Sequence, residues 1–156
     1  MPVVVGARLR RNALRLRALQ SLACRVLDAV GESDAFLSFE IVGDARMRGL
    51  NRRYRRKDKT TDVLAFAARE ALGPASPALG DVVVSLPQTI RQARERGHHP
   101  DVELAVLLIH GVLHLCGYDH ERSEAEARRM KRREARVLAM VAPIPRLLLS
   151  GYRVRV

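Results

Sequence analysis

The amino-acid sequence predicts an α+β fold, a single domain in which one small mixed β-sheet of about four strands is packed with about five helices. Three observations predict it. Phe36–Val42 alternates in the manner of a half-buried strand, and the valine run within Asp81–Val84 suits a strand buried on both faces. Leu14, Ala18, Leu22, Val26 and Val30 recur at helical spacing. Ser85 with Gln88, and Ser123 with Glu126, have the offset of a capping box, which marks a helix start.

In chain order, Val3 to Val5 reads as a short strand. A helix follows from Asn12 to Val30, with Gly31 placed to end it. After the Phe36–Val42 strand, Asp44 is positioned to cap a short helix through Tyr54, with Met47, Leu50 and Tyr54 on its apolar face. Residues 55–61 form a charged turn and 62–66 a second sheet strand, and Gly73, Pro74 and Pro77 mark a loop. Asp81–Val84 leads into a helix opened by Ser85 and Pro87 and ending near Arg96. Pro100 and Asp101 start the next helix, which runs to Leu115, and Ser123 opens a last one to Met140. The tail from Arg146 reads as a basic amphipathic strand or a loose end.

With 156 residues, 47% of them hydrophobic, the chain suits one domain over 1–156 with one sizeable core. No repeat or long linker divides it. Cys24 and Cys116 lie far apart in apolar helical contexts, which favours reduced, buried thiols and a cytoplasmic location. The short apolar start does not read as a signal peptide, and no apolar run is long enough to span a bilayer. Lys and Arg number 28 against 17 Asp and Glu, a formal charge of +11. Most of the basic residues are arginine, whose planar donor fork matches phosphate oxygens, so the excess suits a polyanionic partner such as RNA; composition bias and solvated helix faces explain it equally well.

The chemistry is concentrated in His110-Gly-Val-Leu-His114-Leu-Cys-Gly117-Tyr-Asp-His120. Residues four apart on a helix differ by only about 40° around its axis. His110 and His114 therefore project from one face, close enough to hold one ion. Gly117 can end the helix in a left-handed conformation and turn the chain so that His120 returns to the same ion. Three neutral imidazoles leave a fourth position open for water, as in a catalytic zinc site. One Zn2+ is expected, although other divalent transition metals accept imidazole as well. The spacing also resembles the metzincin peptidases, which carry a general-base Glu directly after the first histidine. Here that position is Gly111, which cannot accept a proton.

Three nearby features read more simply. Asp119 suits the cap of a turn, the alternative being a hydrogen bond to a ligand imidazole or metal-bound water; Cys116 points away from the metal and into the core; His98 and His99 read as a surface loop, from which either could approach substrate. A second notable segment gathers Arg46, Arg48, Arg52, Arg53, Arg55, Arg56, Lys57 and Lys59. Runs of this kind are usually solvated helix faces. Arg55 and Arg56, however, fall in a turn before a sheet strand, where side chains can enter a cleft.

Three blocks, in order, resemble the YbeY family of bacterial endoribonucleases. They are Leu50-Asn-Arg-Arg-Tyr54-Arg55-Arg-Lys57-Asp58 continuing to Thr61-Asp-Val-Leu-Ala-Phe66, then Leu79-Gly-Asp-Val-Val-Val-Ser85, then Glu103-Leu104 through His120. Glu126, Met130 and Glu134 in the following helix also fit. The resemblance implies a single-strand-acting, metal-dependent RNase that matures ribosomal RNA, chiefly at the small-subunit 3′ end, and serves ribosome quality control. It implies the ribosome or its proteins as partners, zinc on His110, His114 and His120, and Arg55 as the residue for substrate or transition-state charge. The chain departs from the family pattern at Thr60, Ala65 and Ala67, where Pro, Ser and Pro are usual.

Overall fold

The computed structural model describes residues 3–9 and 13–149. Four strands form one sheet: β1 (Val3–Arg8), β2 (Phe36–Val42), β3 (Val63–Ala67) and β4 (Ala78–Ser85). Their spatial order is β1-β2-β4-β3, with β1, β2 and β4 parallel and β3 antiparallel to β4. β3 is therefore an edge strand. Six helices are described among these residues: α1 (Leu16–Ala29), α2 (Asp44–Arg55), α3 (Arg69–Leu72), α4 (Leu86–Arg96), α5 (Pro100–Leu115) and α6 (Glu124–Val141). The mixed sheet and the α+β class agree with the sequence reading. The extra helix is α3, a single turn inside what reads as a loop.

Both faces of the sheet are covered, because successive residues of a strand point to opposite sides. Phe39, Ile41, Val82 and Val84 join the main core with Leu104, Leu108 and Val112 of α5 and the buried stripe of α1. Val83, between two of those valines, instead packs with Val42, Leu64 and Met47 of α2. Helices α2 and α5 thus lie on opposite faces, and the antiparallel strand β3 lies at the sheet edge between them.

Several boundaries differ from expectation for tertiary reasons. The expected helix start at Asn12 lies outside the described residues, and Ala13–Arg15 are not helical. Leu14 instead bridges to Leu148, with Arg15 N–H donating to Leu147 O at 2.8 Å and Leu149 N–H to Ala13 O at 2.8 Å. The tail is thus tied down as far as Leu149; residues 150–156 lie outside the described residues. The buried Asp101 carboxylate accepts from the N–H groups of Leu147 and Leu148 at 3.0 and 2.9 Å. Asp44 is the first residue of α2 rather than its cap, which is Gly43. Its carboxylate accepts instead from Thr60, Ser85 and Arg91. The two serine caps form as expected, Ser85 Oγ accepting from Gln88 N–H and Ser123 Oγ from Glu126 N–H.

Gly111 shows what a helix-interior glycine is for. A β-carbon there would lie 2.6 Å from Val82 Cγ1, so its absence lets α5 press directly on β4. Alanine would gain about 1 kcal/mol of helix propensity, but it would force a stiff β-branched neighbour in a closed core. Gly111→Ala should therefore destabilise the protein by about 1–3 kcal/mol, measured as a lowered thermal midpoint. An unchanged or raised midpoint would contradict this packing account.

Candidate metal centre and its cleft

Helix α5 is apolar on nearly every side, and His110 and His114 are the polar residues of its last two turns. Its end is a Schellman closure. Tyr118 N–H donates to Leu113 O at 3.0 Å and Gly117 N–H to His114 O at 3.0 Å, with Gly117 at φ +99°. The Asp119 carboxylate then accepts from Glu121 N–H at 2.9 Å, closing the next turn. Together these turns bring His120 back over the helix end.

The three imidazoles converge. His110 Nε2 and His114 Nε2 are 3.1 Å apart, and His120 Nδ1 is 3.2 Å from His114 Nε2. All three candidate ligand atoms lie within 4.8 Å of one another. A tetrahedral zinc with Zn–N bonds near 2.0–2.1 Å would space its ligand nitrogens by about 3.4 Å, so the cluster needs little movement to hold one ion. The electrostatics suit the same role. Burial, and then the nearby His110 and His120, push the His114 pKa below its ordinary 6.5. The neutral imidazole is the form that binds a metal, so protons compete less for this group than for a free histidine.

Position 111, where a metzincin carries its base, packs against Val82 and Val63 of the sheet. The Cys116 thiol, part-buried against the core, is pushed up to about 11, chiefly by burial. His98 pairs with the fully buried Glu103, and His99 Nδ1 accepts from Asp101 N–H at 3.1 Å to cap the far end of α5. Neither lines the cleft beside the three imidazoles.

A cleft of about 880 Å³ joins the histidines to the basic segment. Its walls include His110, His114 and His120 on one side and Tyr54, Arg55 and Lys57 on the other, with β3 between them. Its position follows from the fold, since α2 and α5 flank opposite faces of the sheet and the edge strand separates them. Arg55 is exposed at the end of α2 and donates one hydrogen bond of 3.0 Å to Ala65 O. Its guanidinium also lies over the Phe66 ring, 5.8 Å from the centroid. The rest of the segment is divided. Arg48 forms a two-point pair with Asp58 at 2.8 and 3.1 Å.

Residues 8–142 match the family described as Endoribonuclease YbeY. The chain belongs to the YbeY family. An Endoribonuclease YbeY from Geobacter metallireducens is 44% identical over 144 residues, covering 90% of this chain and 96% of its own length. One from Aquifex aeolicus is 39% identical over 138 residues, covering 88% of this chain and 91% of its own. The solution structure of a Thermotoga maritima protein has the same fold, with a TM-score of 0.63, 24% identity and coverage of 89% of this chain and 88% of that one.

Thr60 and Ala65, two of the three positions where the chain was expected to depart from the family, have defined contacts. Thr60 uses its hydroxyl to bond the Asp44 carboxylate at 3.2 Å, a role proline cannot fill. Ala65 offers its carbonyl to Arg55, so the contact beside the cleft needs no side chain. Sequence reasoning assigned no role to Glu134, whose carboxylate meets His110 Nδ1. Its signal was present: Glu134 interrupts the stripe of Met130, Val137 and Val141 that α6 turns inward.

Proposed function

We propose that the chain is a metal-dependent endoribonuclease acting on single-stranded RNA, with His110, His114 and His120 as ligands of one zinc ion and Arg55 meeting the scissile phosphate. The observation that carries this reading is that the imidazole cluster and the basic side chains line one cleft. These three imidazoles would hold the ion, which when bound would supply Lewis acidity. Arg55 spends one donor on Ala65 O, and its remaining donors are available to hold phosphate oxygens and offset charge that develops on them. Lys57 and Lys59, also in the cleft wall, extend this contact along the backbone. Tyr54 is 53% exposed and sits edge-on to Phe66, 5.2 Å between centroids. An unpaired base can stack there, which supports single-stranded over duplex substrate.

The finer reading is that the substrate is ribosomal RNA, matured at the small-subunit 3′ end in the cytoplasm, with the ribosome or its proteins as partners and ribosome quality control as a further role. Family membership and the +11 charge support it. No helix among the described residues is long and apolar enough to cross a membrane.

Chelator-stripped protein should leave labelled single-stranded ribosomal RNA intact, and restored Zn2+ should return cleavage. Three phosphate contacts on a single strand predict a slope of log K against log salt of about −2. Cleavage undiminished by stripping, or directed equally at duplex RNA, would contradict the proposal.

A further inference from the structure

Met130, Val137 and Val141 are the buried residues of α6, and at helical spacing Glu134 belongs to the same inward stripe. A carboxylate on such a stripe is costly unless it finds a partner. Its partner is His110 Nδ1, and the two side chains are only 24% and 21% exposed. The helix carrying Glu134 is held firmly, with Arg133 donating to Ala29 O and Arg25 donating to Val141 O. Among the described residues, neither His114 nor His120 has a hydrogen bond to a carboxylate, so this contact sets His110 apart.

We propose that Glu134 is a positioning residue for the metal centre. Its carboxylate keeps the His110 proton on Nδ1 and fixes the ring, leaving Nε2 as the free ligand nitrogen. The geometry agrees at the other side of the ring, where His110 Nε2 is the atom that faces His114, 3.1 Å away. Helix α6 thereby becomes part of the metal centre although it contributes no ligand. The inference rests on the three-histidine reading proposed above.

The test titrates the metal-free full chain with Co2+ against a chelating dye and records the visible absorption of the bound ion. Glu134→Ala should weaken Co2+ binding about 10–100-fold and alter the cobalt spectrum. Glu134→Gln keeps an acceptor but loses the charge, so its affinity should fall between that of Glu134→Ala and wild type. The metal-free Glu134→Gln protein should melt as wild type does, which a merely structural role would not predict to accompany weaker binding. Should the alanine variant fail to fold, the glutamine variant carries the comparison. Co2+ affinity and spectrum unchanged in the variants would overturn the role of Glu134 alone. Wild-type protein that binds no Co2+ would overturn the three-histidine reading, and this inference with it.

Discussion

His114→Ala is expected to abolish both metal retention and RNA cleavage while leaving the metal-free fold in place. Loss of an outer partner such as Glu134 is enough to weaken metal binding about 10–100-fold, so losing a central ligand should exceed about 100-fold. His114 is the central member of the cluster, the imidazole within 3.2 Å of both others. The metal-free fold should tolerate its loss, because burial and the neighbouring rings already disfavour its charged form. Bound metal stabilises the native state by mass action, about 4 kcal/mol at a thousand times Kd. The wild-type thermal midpoint should therefore rise with added Zn2+, and that of His114→Ala should not. A variant unfolded without metal in the medium would instead indicate an ion that only holds the helix end.

Arg55→Glu should separate chemistry from metal binding. The side chain bonds the β3 carbonyl of Ala65 and lies over Phe66, and no hydrogen bond joins it to an imidazole. Metal content should therefore match wild type. Cleavage should fall about 10²–10³-fold, the usual cost of removing a group that stabilises developing charge, with the reversed charge also repelling the backbone. Arg55→Lys should lie between the two, since lysine keeps the charge but loses the planar fork. Cleavage by Arg55→Glu at the wild-type rate would remove Arg55 from the site.

The parts of this account legible in the sequence are those written in local spacing. His110, His114, Gly117 and His120 specify two helical turns and a left-handed exit, and the structure places them together as that pattern requires. The valine run of β4 announced a strand covered on both faces, and Val82 and Val83 do face different cores. What the sequence concealed depends on distant partners. Leu14 keeps helical periodicity with Leu22 and Val26, yet its backbone is taken by Leu148 at the other end of the chain. Asp44 looks like a cap because the residues it bonds, Ser85 and Arg91, are far away along the chain. Gly111 could be read as the lack of a base, whereas its fit against Val82 required the packing of α5 on the sheet. Arg55 illustrates the same divide. Its residue type suggested phosphate, but only the order of strands places the β3 edge, and so the cleft, between α2 and α5.

The most direct measurement of the central claim combines metal content with cleavage of a single-stranded ribosomal RNA fragment, for wild type, His114→Ala and Arg55→Glu purified in parallel. One metal ion and cleavage are expected for wild type, neither for His114→Ala, and metal without cleavage for Arg55→Glu. Equal cleavage by all three proteins would contradict it.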